Sequence, residues 1–187
     1  NVGLGYQSLF KNTTASENTA VGYQAGYNNT TGTRNTSLGY HSLFNTTTSN
    51  DNVALGQASL YANTTGANNV AVGRQALVNN TDASNNTAVG WQAAYSNVTG
   101  TGISALGHRA LFYNTGSYNT AVGQEALRQN TTASNNTAVG YQAGYTNTTG
   151  SEITALGYHA LYANTTGASN VAMGHAAAGS NTTGASN

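Results

Sequence analysis

Few residues in this sequence have types that could do chemistry, and their spacing decides whether they do. The acids are Glu17, Asp51, Asp82, Glu125 and Glu152. General acid–base catalysis needs two such groups in one pocket, with surroundings that pull their pKa values apart. These five are strung out along the chain, and no two are spaced as a pair. The histidines are His41, His108, His159 and His175. Only His159 and His175 fall close together, and the spacing is not that of a metal-ligand motif; solvated surface is the favoured reading. There is no cysteine, so neither a disulfide framework nor a thiolate centre is available. No catalytic site, metal or cofactor is expected.

Two other residue types recur. Asn-X-Thr sequons stand at Asn12, Asn63, Asn97, Asn130, Asn147, Asn164 and Asn181. They are glycan acceptors in a suitable secreted host, but Asn-Thr-Thr-Gly is also plain turn chemistry, and the turn reading is favoured. Aromatic rings form two series, Tyr6, Tyr23, Tyr40, Trp91, Tyr141, Tyr158 and Phe10, Tyr27, Phe44, Tyr61, Tyr95, Phe112, Tyr145, Tyr162. Either series is a stacked ladder that packs against something, or a stripe that binds a sugar or a receptor. The first is favoured.

These positions are set by an internal repeat. A small residue, then Val, Leu or Met, then Gly recurs with its Gly at 5, 22, 39, 56, 73, 90, 107, 123, 140, 157 and 174. Every step is 17 residues except Gly107 to Gly123, which is 16, with the missing residue near Asn114-Thr115-Gly116. The single array 1–187 has units beginning at 1, 18, 35, 52, 69, 86, 103, 119, 136, 153 and 170. A chain that begins and ends in phase with its own repeat is expected to be a segment of a longer one. Within the unit the consensus is N-T-A-V-G-Y-Q-A-L-Y-x-N-T-T-G-x-x, and the aromatic series occupy positions 6 and 10.

Seventeen residues are too few for a helical-hairpin repeat, which needs roughly 33, and the apolar spacing is not helical. Thr, Val, Leu and Tyr favour extended backbone. The expected fold is therefore all-β: a parallel β-solenoid of eleven 17-residue coils, one unit per coil. Coils spaced by about 4.8 Å give a rod on the order of 50 Å long. Alternation puts positions 2, 4 and 8 on one face, and the expected thin core is Val or Leu at 4, Leu at 9 in most units and small residues at 3 and 8, with Val21, Leu38 and Leu55 in one internal column. Asn at position 12 would stack on itself as an amide ladder. Charges occur only at positions 6, 7, 10, 11, 14 and 17, as expected if the others are buried. In register, Glu17, Arg34 and Asp51 would form an acid–base–acid ladder, and Arg109 would face Glu125.

Composition narrows the function. Charged residues are 5% of the chain, against about 25% in ordinary domains. Basic and acidic residues cancel, so a nucleic acid or an anionic membrane surface is not an expected partner. No apolar run is long enough to span a membrane.

The step Asn18-Thr19-Ala20-Val21-Gly22-Tyr23-Gln24-Ala25 resembles the head repeats of YadA-like trimeric autotransporter adhesins and related repeats of phage tail fibres. The resemblance covers all eleven units. It implies a left-handed parallel β-roll, three chains side by side, and a place outside the cell, on a cell or virion surface. The unit here is longer than the family's usual one by its Asn-Thr-Thr-Gly turn, and no stalk, neck or membrane anchor is present. The expected function is a structural fibre or filament segment whose partner is itself, as a trimer or a head-to-tail filament. The alternative is an adhesin or tail-fibre head that binds a cell-surface receptor or glycan. Regular threonines leave an ice-binding solenoid as a third, less favoured reading.

Overall fold

The computed structural model describes residues 1–187. It contains no helix and eleven strands of three residues, from β1 (Val2–Leu4) to β11 (Val171–Met173). All eleven lie in one parallel sheet in sequence order. Thr19 pairs with Thr36 and Thr36 with Val53, so residues seventeen apart are direct neighbours. Where the unit is one residue short, Ser104 pairs with Thr120 and the register is kept. The chain is a β-solenoid.

Pairing does not stop at the sheet. The Leu9 N–H donates to Ala25 O, Thr13 N–H to Thr30 O, and Gln24 N–H to Tyr6 O. Backbone hydrogen bonds thus join successive coils around most of the circumference, which satisfies groups that a thin core could not leave unpaired. Only positions 2 to 4 are strand; positions 6 to 11 are a run of turns. The turns come from repeated left-handed residues at positions 7, 9 and 17, such as Gln24 (φ 52°), Leu43 (φ 49°) and Arg34 (φ 56°). Each costs energy and persists because the neighbouring coils hold it. Gly at position 5 is more demanding: at Gly90 φ is 136°, and an added Cβ would lie 2.5 Å from the Gly107 carbonyl oxygen in the next coil.

The position-4 column is continuous, but it is on the outside. Leu38, Val89, Leu106 and Val139 are 47, 38, 39 and 39% exposed, whereas Ala20, Ala54, Ala71 and Ala88 at position 3 are fully buried. Position 8 packs with position 3, not with 2 and 4: Ala25, Ser42, Ser59 and Ala76 are all buried. Within the strand the alternation is therefore right in phase and reversed in direction, while the small residues expected in the core at 3 and 8 are indeed there. A three-residue strand can turn only its middle side chain inward, and a coil this narrow accepts only a small one there. Leucines at position 9 (Leu43, Leu60, Leu77, Leu111, Leu127, Leu161) fill the interior from the opposite wall. Where position 9 shrinks to Ala94 or Gly144, the next coil begins with Ile103 or Ile153, both buried. A Cβ on Gly144 would touch Ile153 Cδ1 at 3.5 Å, so the isoleucine occupies the space the leucine left. This matters because an unfilled cavity of that size costs about 2–5 kcal/mol.

The rest of the interior is asparagine. The side chain of Asn80 donates to Asn63 Oδ1 at 2.9 Å, Asn147 to Asn130 Oδ1 at 2.8 Å and Asn164 to Asn147 Oδ1 at 2.9 Å, which is the position-12 ladder. A second ladder at position 1 was not expected. There the side-chain oxygen accepts a backbone N–H from the next coil, as from Asn35 to Asn18 Oδ1 and from Asn69 to Asn52 Oδ1. Its amide then donates to the position-15 carbonyl of its own end of the turn one coil on, as Asn69 does to Ala83 O.

The ladder is unbroken from Asn63 onward but is interrupted at the third coil. Position 12 of the third coil is Thr46, which has no amide to offer, and Asn29 Oδ1 in the coil before it is buried with no hydrogen-bond partner. Replacing Thr46 with Asn supplies the donor. T46N is expected to raise stability by about 1 kcal/mol, the usual net value of one buried hydrogen bond. A denaturant midpoint at or below that of the parent would contradict the ladder as drawn.

Candidate functional site

With the interior filled by Ala, Leu and Asn, the side chains free to meet something else are the outer columns. The strand face carries columns 2 and 4. Column 2 is Val or Thr with Ser104; column 4 is Leu4, Val21, Leu38, Leu55, Val72, Val89, Leu106, Val122, Val139, Leu156 and Met173. No charged residue interrupts either one. Because the strands are in register, column 4 forms an apolar stripe along the whole rod, flanked by a column 2 that is Val in four coils and Thr or Ser in the other seven.

Beside it, on the turn run, lie columns 6, 7 and 10. The aromatic columns are stacks. Tyr6–Tyr23 and Tyr23–Tyr40 have ring centroids 5.3 and 5.4 Å apart, and Phe10–Tyr27, Tyr27–Phe44 and Phe44–Tyr61 are 5.3, 5.2 and 5.3 Å apart, all near parallel. Trp91 stacks on His108, Tyr95 on Phe112, Tyr141 on Tyr158 and Tyr145 on Tyr162. Ring faces are spent on one another, so edges and hydroxyls point outward. That geometry suits packing better than a platform for sugar rings.

Column 7 joins the two stacks, and it holds a pattern absent from the single-unit reading. Its side chains form three hydrogen-bonded triads, each spanning three coils. Gln24 donates to Gln7 Oε1 at 2.7 Å, and its own Oε1 meets His41 Nε2 at 2.9 Å. Gln92 donates to Gln75 Oε1 at 3.0 Å and accepts from Arg109 Nε at 2.9 Å. Gln142 donates to Glu125 Oε2 at 2.7 Å and meets His159 Nε2 at 2.9 Å. Each triad ends in a planar nitrogen group boxed by aromatics: His41 by Tyr40 and Phe44, Arg109 by Trp91 and Phe112, His159 by Tyr158 and Tyr162. The signal was in the sequence. Compared three units at a time, Ala94 with Ile103 and Gly144 with Ile153 fall at matching places in two successive blocks.

The expected charge ladders are half present. Arg34 and Asp51 form a two-bond pair at 2.6 and 2.9 Å. The hydrogen bond from Arg34 holds the Asp51 carboxyl below its usual range, and the guanidinium is raised in return. Glu17 acts on Arg34 only through its field. Arg109 does not pair with Glu125. It is drawn to Gln92, while Glu125 takes the Gln142 amide and lies 3.5 Å from Arg128. Both side chains belong to triads, which end against each other at the boundary between coils seven and eight without joining.

Burial lowers the His41 pKa from its ordinary 6.5. A group with a depressed folded pKa binds fewer protons folded than unfolded, so its contribution to stability is present above about pH 6.5 and is lost as pH falls. His41→Gln, which installs the residue found at this position in the two preceding coils, is expected to flatten thermal stability between pH 7 and pH 5. An unchanged slope would show that His41 is not the titrating group.

Of the sequon residues, Asn63, Asn97, Asn130, Asn147 and Asn164 are fully buried in the ladder, which closes them to glycan transfer; Asn12 and Asn181 are half-buried. No group of three or more His, Asp or Glu side chains converges. Two shallow cavities, of about 170 and 260 Å³, both lie at the eleventh coil, one lined by Leu161, Ala178 and Asn181, the other by His159, Tyr162 and Gly179. No helix is long and apolar enough to cross a membrane. Compared with known proteins, the chain matches no family model, no curated protein and no solved structure.

Proposed function

We propose that this chain is a length of structural rod from an extracellular fibre, and that copies lie side by side through the strand face. The carrying observation is the apolar stripe of column 4, bordered by the uncharged Val, Thr and Ser of column 2. Contiguous exposed apolar surface of more than a few hundred Å² marks an interaction site. This stripe runs the length of the rod without a charge, although nothing in the interior requires Val or Leu there. A coil cannot offset its own chain entropy and draws stability from its neighbours; neighbouring chains extend the same principle sideways. The resemblance to adhesin and tail-fibre head repeats supports three chains about an axis and a place on a cell or virion surface.

Molar mass by light scattering tests this. The parent chain is expected to self-associate, and the double variant Val89→Lys/Leu106→Lys to be monomeric with its fold intact, because each lysine must be desolvated to enter the contact. A parent that is monomeric at high concentration, or a variant that associates equally well, overturns the side-by-side arrangement.

A second reading, a head that binds a receptor or glycan, is favoured by one observation: the three equivalent aromatic-boxed triads on the neighbouring face. The ice reading is not carried forward. Position-13 hydroxyls donate to carbonyls of the next coil, as Thr30 and Thr64 do, and the outward column 2 mixes Thr with Val.

A further inference from the structure

The tyrosines of column 6 have a reactivity that packing alone does not use. In Tyr6–Tyr23–Tyr40 and in Tyr141–Tyr158, phenol stands next to phenol in successive coils, with centroids 5.3 to 5.4 Å apart and planes within 16°. Tyr145–Tyr162 repeats the arrangement in column 10 at 5.4 Å. The column-6 rings are open to solvent: Tyr6, Tyr23, Tyr40, Tyr141 and Tyr158 are 64, 43, 49, 40 and 47% exposed. The backbone holds each pair in register with no sequence-distant partner in between.

We propose that these ladders are sites of oxidative cross-linking, where dityrosine bonds staple one coil to the next. The oxidant is a peroxide acting through a haem peroxidase or an equivalent one-electron oxidant. It removes one electron and one proton from each of two phenols. The unpaired electrons, spread onto the ring carbons ortho to oxygen, pair to form one carbon–carbon bond. The two ortho hydrogens then shift to oxygen and restore both phenols. The net change is the loss of two hydrogen atoms from the protein, and the peroxide is reduced to two waters. Coils about 4.8 Å apart lie within the span of such a bridge, and the exposure of the column-6 rings leaves room for them to pivot edge to edge. The reaction joins residues within one chain, so it does not depend on side-by-side association.

The molecule contains its own controls. In column 10, Phe44 separates Tyr27 from Tyr61, so those two phenols are two coils apart and should not couple. Phe44 also shows that a phenylalanine is accepted in such a stack, which makes Tyr→Phe a mild change.

The test is to oxidise the whole chain, in dilute solution, with hydrogen peroxide and a haem peroxidase. The denatured product is then digested with trypsin, which cuts after Lys11, Arg34, Arg74, Arg109 and Arg128. Peptide 1–11 joined to 12–34, 12–34 joined to 35–74, and 129–187 lighter by two hydrogens are expected, with fragmentation placing the bonds at Tyr6, Tyr23, Tyr40 and the paired tyrosines of the last peptide. Tyr23→Phe should abolish both joined peptides and leave the change in 129–187. The proposal is overturned if no coupling occurs while N-acetyltyrosine in the same tube dimerises. It is equally overturned if the only products join separate chains in a concentration-dependent way, or if the joined peptides survive in Tyr23→Phe.

Discussion

Gly90→Ala is expected to be severely damaging, as at the other inner glycines of its column, and Gly174→Ala is the informative comparison. Both residues have φ near +130° (136° and 125°), so both variants carry backbone strain of about 1–3 kcal/mol. They differ in what the methyl meets. At Gly90 it would lie 2.5 Å from the Gly107 oxygen and 2.7 Å from its carbonyl carbon; at Gly174 nothing is closer than Ala177 Cβ at 4.0 Å. The obstruction at Gly90 is backbone and cannot turn aside. Coils six and seven must part, and each coil is held mainly by its two neighbours. G90A should therefore lose well over 3 kcal/mol and expose amides on both sides of the break to hydrogen exchange, while G174A loses about 1–3 kcal/mol. Equal losses would mean that the close approach of the glycine column does not limit the fold.

The asparagine ladder gives the second large effect, and the surroundings grade it. Asn164 donates to Asn147 Oδ1 and to Gly167 O, both at 2.9 Å. Neither acceptor has another side-chain donor, because the coil that holds Asn164 begins with Ile153 instead of an asparagine. Asn164→Ala leaves two buried acceptors unsatisfied, at about 1–3 kcal/mol each. Asn97 makes the matching bonds to Asn80 Oδ1 and Gly100 O, but the Asn86 amide reaches both acceptors as well. N97A should accordingly cost about half as much as N164A. Chemical denaturation of the two variants measures this directly; similar losses would indicate that cavity formation, not unmet hydrogen bonding, dominates.

The stacking of residues seventeen apart was legible because Gly at position 5 is needed in every coil. That requirement marks the repeat even where the aromatic and charged positions vary. The Asn12-type column was legible as a ladder because an uncharged amide that recurs in register has few other uses. The direction of the strand was not legible. Val or Leu at position 4 looks like core, and in a wider fold it would be. What decides is volume: Ala20 and Ala25 mark the inner wall because nothing larger fits there, and the bulkier Val21 is left outside. The position-1 ladder was hidden for a different reason. Its asparagines act on backbone N–H groups of the next coil, and Ile103 and Ile153 break the column after Ala94 and Gly144 at position 9. The triads at Gln24, Gln92 and Gln142 appear only when units are compared in threes, since each unit alone shows one member.

One unit makes one coil, and successive coils stack in register. Paired spin labels read this by electron–electron double resonance. Thr48 and Thr149 occupy the same exposed position six coils apart, and Thr48 and Thr166 seven coils apart. With about 4.8 Å per coil, the mean distances should be roughly 29 and 34 Å, each a single narrow peak. Distances that fail to grow by one coil spacing between the two pairs, or broad distributions centred elsewhere, would contradict the solenoid itself.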